Sequence, residues 1–392
     1  MVACWLISAT VGVFRLCAEE LTIADRTVSD WRTVMRDLDV RDSRSRVHVP
    51  GLIDLMNDER TPWITRRQAA LTLGRLGPLA SEAIPSLRKR LEETDDADPE
   101  TSPQRWALSA VALFGREARG AAPQLIDLLH DEQSSLTTRL GCLEALSQIG
   151  SAAPEAIAAI WKQLEAGLAQ TATAADHELA LGAAEALGMI GPDASAAVPI
   201  LLRAAQHSDV AYRRAAVRSL GQIGSTAQDA RPVLLDALAG DDDPLVRDLA
   251  TTAFGQLGSE GWPLIEPLFT DKDAGFRARA ANAVATWKEQ RAAILPAMES
   301  LLVDDAPSVR LAACRSWRQL MGQHDRVWTV LTELLTDTDR LIRREASREL
   351  QRIALQGNVT AAELDGLLQS PHAGVRQEGT RLQRLHREYL GQ

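Results

Sequence analysis

The chain has 392 residues, with 43 Lys or Arg against 53 Asp or Glu and a formal net charge of −10. That balance argues against a general nucleic-acid binder, which would carry a basic excess. Aromatic residues make up only 4% of the chain, while Ala and Leu abound and strand-like alternation is absent, so thin layers of helix on helix are expected.

Residues Val2 to Phe14 (VACWLISATVGVF) are uncharged, a run too short to span a bilayer but of the length of a signal-peptide core. Leu16-Cys17-Ala18 offers a small-residue cleavage site before Glu19. Against this, no Lys or Arg precedes the run, and Arg15 interrupts its end. Residues 1–18 are therefore read two ways: as a signal peptide of an exported protein, or as an N-terminal hydrophobic helix of a cytoplasmic one. Contact with a membrane is expected only through this segment. Residues 19–48 read as a degenerate N-terminal capping repeat. Its helix, Ser29 to Leu38, places Trp31, Val34, Met35 and Leu38 on one face behind a Ser cap, and the charged Asp39 to Arg46 follows as a turn or short helix.

From residue 49 to 392 one pattern recurs, clearest in Pro232 to Gly258, PVLLDALAGDDDPLVRDLATTAFGQLG. A short apolar helix opens on proline, where the missing N–H costs nothing. Asp241-Asp242-Asp243-Pro244 breaks it, and the aspartates suit the cap and dipole of the next helix. They lack the ligand periodicity of a calcium loop. The second helix carries Leu249, Ala250, Ala253, Phe254 and Leu257 at three- and four-residue spacing, and Gly258 fits a left-handed C-terminal cap. Neither helix buries its face alone, so the unit is stable only when stacked.

The pattern PxLLxxLxDxDxxVRxxAxxxLGxLG resembles the HEAT repeat, in particular the short variety of phycobilisome-lyase-like proteins. The resemblance implies that the turn Asp and the Arg opening the second helix form a polar ladder between neighbouring repeats. Copies run from Pro50 to Gly77, Pro85 to Gly115, Pro123 to Gly150, Pro154 to Gly191, Pro199 to Gly224, Pro232 to Gly258, Pro263 to Trp287, Pro296 to Leu320, Thr329 to Ile353 and Ala361 to Leu385. Two carry insertions, Glu92 to Pro103 and Gly167 to Asp176. The fold expected is all-α: a right-handed α-solenoid, or superhelix, of about ten antiparallel helix-pair repeats.

Function then lies in how the copies differ. The fifth residue after the opening Arg is polar and is expected on the concave side. Along the chain this row reads Glu144, Glu185, Arg218, Thr252, Asn282, Arg315, Arg348 and Arg381, with Arg318, Arg352, Arg384 and Arg387 thickening its basic end. Residues 307–392 hold 13 Arg against 10 Asp or Glu, whereas residues 1–196 hold 19 basic against 28 acidic. Such a gradient steers and orients a partner with an acidic segment. The expected partner-binding residues are Arg218, Asn282, Arg315, Arg318, Arg348, Arg352, Arg381 and Arg384. A solvated arginine face is the bland alternative. Trp63, next to Pro62, is a candidate exposed anchor, whereas Trp287 and Trp317 occupy core positions.

Chemistry finds little support. His177-Glu178 stands where some HEAT-repeat iron hydroxylases carry His-Glu pairs, but the corresponding positions elsewhere are Arg66-Arg67, Arg139-Leu140, Arg213-Arg214 and Arg247-Asp248, so no multi-helix ligand set forms. No GxSxG, CxxC, HExxH or Walker-type motif is present. Cys142 and Cys314 read as small hydrophobes in distant repeats. No cofactor, metal or small-molecule substrate is expected. The sequence predicts a non-enzymatic scaffold for a protein or peptide partner. The alternatives are an enzyme or accessory of the bilin-lyase or metal-hydroxylase kind, and nucleic-acid binding through the basic C-terminal repeats.

Overall fold

The computed structural model describes residues 21–93, 101–322, 325–356 and 359–389. The expected leader, 1–18, lies outside them, as does the middle of the acidic insertion in Glu92 to Pro103. Among the described residues the chain is built of α-helices and 3-10 turns, with a small antiparallel ribbon, β1 (Thr22–Ile23) against β2 (Arg26–Thr27). Ala24 and Asp25 turn this ribbon at φ 46° and 61°, as a tight hairpin requires. The Trp31 indole N–H donates to Ile23 O at 2.8 Å and ties the ribbon to helix α1 (Val28–Asp37). The cap of α1 is Thr27, two residues before the expected Ser29. Thr27 has Asp30 three residues on and forms a reciprocal capping box, whereas the third residue after Ser29 is Arg32, which cannot reciprocate.

The described chain divides into two compact units, one up to Ala204 and one from Ala205. The first unit holds four helix pairs: α2 (Val49–Asn57) with α3 (Trp63–Leu76), α4 (Ile84–Leu91) with α5 (Pro103–Phe114), α6 (Ala122–His130) with α7 (Leu136–Ile149), and α8 (Pro154–Gly167) with α9 (Ala174–Ile190). The next first helix, α10 (Val198–Ala205), follows. Second helices lie side by side, α3 on α5, α5 on α7 and α7 on α9. The expected insertion from Gly167 to Asp176 shortens to a six-residue turn, 168–173, because Thr173 and Asp176 form a capping box that starts α9.

The second unit opens with α11 (Val210–Ile223) and continues with α12 (Arg231–Gly240) and α13 (Pro244–Gln256). The next pair is irregular. α14 (Trp262–Ile265) gives way to a 3-10 turn over Glu266–Thr270, because Pro267 has no N–H to continue the α ladder. Its partner α15 (Ala274–Ala283) ends without the glycine seen elsewhere. Buried Trp287 plugs the gap: its indole N–H donates to Gly255 O at 2.7 Å and its ring packs on Phe254. Then come α16 (Arg291–Leu302) with α17 (Pro307–Met321), α18 (Asp325–Leu334) with α19 (Arg340–Leu355), and α20 (Ala361–Leu368) with α21 (Ala373–Tyr389). The second helices again pack in sequence, from α11 on α13 through to α19 on α21. Close approach depends on small residues: a Cβ on Gly255 would stand 2.5 Å from Ala283 O of the neighbouring helix.

Between pairs a 3-10 turn recurs at Gly77–Ala83, Gly115–Ala121, Gly191–Ala197 and Gly224–Ala230. The spacing GxxAxxA puts two alanines on one eclipsed face of each turn, and all eight are buried. The glycine opening these turns has positive φ, but its ψ of −124° to −141° is mirror-extended, not left-handed helical. Gly258, expected in a left-handed cap, sits at φ 96° and ψ 167°; Gly322 takes the true left-handed cap, at φ 65° and ψ 2°.

The turn inside each pair is set by charge. In α11, α13, α15, α17, α19 and α21 the fourth residue is an arginine whose Nη1 donates to the carbonyls six and five residues earlier, at 2.5–3.3 Å. Arg213 also grips Asp241 of the next turn with Nε and Nη2 at 2.8 and 3.0 Å, and Arg277 grips Asp304 likewise at 2.6 and 2.7 Å. These are rungs of the ladder that the resemblance implies. The hydrogen bond from Arg277 holds the Asp304 carboxyl below its usual range. Asp209, Asp243, Asp273 and Asp339 cap the helices that follow them.

Two predictions follow from this turn chemistry. Arg277→Ala removes both carbonyl staples and a two-pronged carboxylate contact, and should cost about 2–3 kcal/mol. In hydrogen exchange the amides of residues 271–277 and 304–310 should lose protection while those of α11 keep theirs; equal protection in variant and parent would contradict the staple. Asp243 is held at about 2, first by its hydrogen bond from Arg214. Its native pKa lies below the unfolded value of about 3.9, so its stabilising contribution is complete above that value and is lost as pH falls toward 2. Asp243→Asn can still cap α13, so in thermal melts its deficit against the parent should be largest at neutral pH and shrink steadily between about pH 4 and 2.

Candidate partner-binding face

The second-helix layer positions the expected site. In the second unit, the fifth residue after each stapling arginine is exposed at Arg218, Thr252, Asn282, Arg348 and Arg381, and half-buried at Arg315. The residues on either side of Arg218, Thr252, Asn282 and Arg315, Val217 and Ser219 among them, are buried, whereas Ser347 beside Arg348 is half-buried and Thr380 beside Arg381 is exposed. The row therefore stands on the solvent side of the layer, as its polarity requires.

Four of the expected residues meet at one place. Arg315 and Arg318 project from α17, and Arg348 and Arg352 from α19. They converge on two carboxylates of α19, Glu345 and Glu349, that the one-row reading passed over. Glu349 is 1% exposed and accepts from Arg315 Nε at 3.2 Å, from Arg318 Nη2 at 3.2 Å, and from Arg352 Nη1. Glu345 accepts from Arg315 Nη2 at 2.8 Å and from Arg348 Nη1, with Arg344 alongside. Burial works against the charge of Glu345, but the guanidiniums of Arg348, Arg315 and Arg344 overcome it and hold its carboxyl below the usual range. The signal was present in the sequence: in RREASRELQR each Glu has an Arg three residues later, the spacing of neighbours on a helix face.

The remaining expected residues stand apart from this cluster. Arg218 lies on α11 and Asn282 on α15, both exposed. Arg381 and Arg384 are exposed on α21 and make no ion pair among the described residues. α21 is joined to α19 by Gln351, whose amide donates to Glu378 at 2.8 Å. Trp63, offered as an exposed anchor, is the first residue of α3 and is half-buried; Trp287 and Trp317 are core residues.

His177 and Glu178 are the fourth and fifth residues of α9. Among the described residues, no three His, Cys, Asp or Glu side chains are grouped so as to hold a metal ion. Cys142 and Cys314 are free, buried thiols, each pushed up to about 12 by desolvation. Such thiols remain protonated and unreactive at neutral pH.

The network makes a specific stability prediction. Glu349→Gln leaves Arg315, Arg318 and Arg352 without their shared counter-charge. Because the arginines retain some access to water, the expected loss is about 2–4 kcal/mol by urea denaturation. Glu345→Gln, at the more open carboxylate, should lose about 1 kcal/mol or less; equal losses at the two sites would contradict the burial argument.

A family model of HEAT repeats matches residues 164–255 and 263–351, and a model of the PBS lyase HEAT-like repeat matches residues 65–93. No functionally curated protein matches the chain. Two crystal structures of importin beta, from ammonium sulfate and polyethylene glycol conditions, superpose with a TM-score of 0.51. They share 13% and 14% identity over 92% and 93% of this chain. The chain spans about half of their length, 54% and 57%. An engineered protein is 24% identical over 86% of this chain and 98% of its own, with a TM-score of 0.39.

Proposed function

The chain belongs to the HEAT-repeat proteins, and on that premise we propose that it is a non-enzymatic scaffold holding a protein or peptide partner against its second-helix layer. In this reading an acidic segment of the partner lies across α17, α19 and α21. One observation carries it: five guanidiniums, of Arg315, Arg318, Arg344, Arg348 and Arg352, share two carboxylates, Glu345 and Glu349. The cluster keeps a formal surplus of three positive charges, and exposed Arg381 and Arg384 extend it.

The internal carboxylates favour binding more than they oppose it. A free arginine side chain loses rotamer freedom when a partner immobilises it. Here Glu345 and Glu349 already hold the guanidiniums, so their remaining N–H groups are set out before a partner arrives. Arginine forks match carboxylates in two-pronged geometry. A negatively charged segment would therefore meet an ordered array whose charge is only partly spent.

The structure also selects the residues to test. Arg315 and Arg318 serve Glu349 and belong to the fold, whereas Arg348, Arg381 and Arg384 are exposed. In fluorescence polarisation, a labelled peptide alternating Glu and Leu should bind the parent at low salt and weaken as salt rises. Arg348→Glu, Arg381→Glu and Arg384→Glu together should reduce affinity about tenfold or more; Arg381→Glu with Arg384→Glu alone, which break no ion pair among the described residues, should weaken binding without altering the thermal melt. Unchanged binding by the triple variant would refute an acidic segment at this place. A labelled DNA duplex in the same assay should bind more weakly than the peptide; tighter, equally Arg-dependent binding would reassign the array to phosphate.

A further inference from the structure

The first unit has a cleft of its own, with about 440 Å³ of space, across the second helices α3, α5 and α7. Arg67 lines it from α3, Arg105, Trp106 and Leu108 from α5, and Leu140, Gly141 and Glu144 from α7, with the hydroxyls of Ser109 and Thr137 alongside. None of these residues belongs to the arginine cluster of the second unit, and nothing that follows depends on it.

Three observations define what the cleft would take. Arg67 and Arg105 make no ion pair among the described residues, so two guanidiniums have their charge unspent at one end. Trp106, 3% exposed, walls the cleft with its ring. The cationic end also lies at the N-terminal turns of α5 and α7, where Arg105 and Thr137 stand within the first helical turn and the helix dipoles favour an anion. Further along α7, Gly141 leaves open the space between Leu108 and Leu140: a Cβ there would come within 3.2 Å of Leu108 Cδ1. That is a shallow apolar floor. Beyond it stands Glu144, exposed and also without an ion pair among the described residues.

The order is thus cation, apolar floor, carboxylate. Seven residues of α7 separate Thr137 from Glu144, a rise of about 10 Å. A free amino acid is too short to satisfy both ends, and a dicarboxylate would be repelled at the second. Three extended residues span about 10 Å. We infer that this cleft binds the C-terminal tail of a polypeptide: a free α-carboxylate on Arg67 and Arg105, an apolar last side chain over Leu108, Leu140 and Gly141, and a basic residue two positions earlier at Glu144.

The test uses the full chain and acetyl-Lys-Gly-Leu as free acid and as C-terminal amide, by isothermal titration. The free acid should bind about tenfold or more tightly than the amide. Arg105→Gln should abolish that difference. Gly141→Leu should fill the floor and remove binding, and Glu144→Gln should weaken the Lys peptide but not acetyl-Ala-Gly-Leu. The acid-to-amide ratio is read on the parent protein, so the outcome survives even if a variant fails to fold. Equal binding of acid and amide, or no binding of either, overturns the inference. Binding of 4-methylpentanoate as tight as that of the peptide overturns the peptide assignment in favour of a small apolar acid.

Discussion

Every sharp turn between two antiparallel helices leaves carbonyl groups at the end of the first helix with no donor. In the second unit this deficit is met by one device: an arginine in the first turn of the following helix, whose Nη1 reaches back to the carbonyls six and five residues earlier. Six successive copies use it, from Arg213 to Arg376. The side chain is long enough to reach over the turn, and its planar fork offers further N–H groups that remain free to point elsewhere. In Arg213 and Arg277 those groups reach the aspartate of the next turn. One residue therefore closes its own turn and fastens its repeat to the neighbour. A lysine could satisfy the carbonyls, but it lacks the rigid second edge that makes the inter-repeat contact.

The same constraint explains why the spacing between helices is tight. A fixed turn fixes where the second helix begins, so adjacent second helices must approach at whatever distance the turns dictate. Gly255 shows the outcome, with room only for a hydrogen where α15 passes. The eight alanines of the GxxAxxA turns meet the same demand between pairs. Where a copy loses its glycine, at Trp287, a large side chain closes the layer and donates its N–H to the backbone it displaces. The interior is filled by thin contacts repeated many times, in keeping with a chain poor in aromatic residues.

These points decide what was legible in the sequence. The helix pairs, their caps and the stapling arginines could be read because each depends on residues close in sequence: Asp243 caps α13, and Arg247 closes the turn before it. The 3-10 turns were equally local and were missed, although GxxAxxA recurs with its alanines three apart. Their period is neither that of a strand nor that of an α-helix, the two periods for which a helix-or-strand reading looks. Thr27 was missed as the cap of α1 because Ser29 is the better-placed residue until its third neighbour is considered. The arginines that meet Glu349 come from two helices about thirty residues apart. A row taken at one position per repeat records a side chain's face, not its partner on the adjacent helix.

That difference alters how the charge of this protein is to be understood. Counted along the chain, the basic end is an excess of arginine. In space, Arg315 and Arg318 are first of all counter-charges to a carboxylate that is 1% exposed, and removing them would strip a buried charge of its partners on the adjacent helix. The carboxylates in turn hold the guanidiniums in place. The first unit shows the contrasting case, where Arg67 and Arg105 line a cleft and make no ion pair among the described residues. Arginine thus plays three roles in one fold: it staples turns, balances buried acid, and, where neither task claims it, stands with unspent charge on the second-helix layer. Only the third role leaves a side chain whose position the fold itself does not require. Selectivity for a partner is accordingly sought at those residues, and the repeated arginines, however prominent in the sequence, are assigned to holding the layer together.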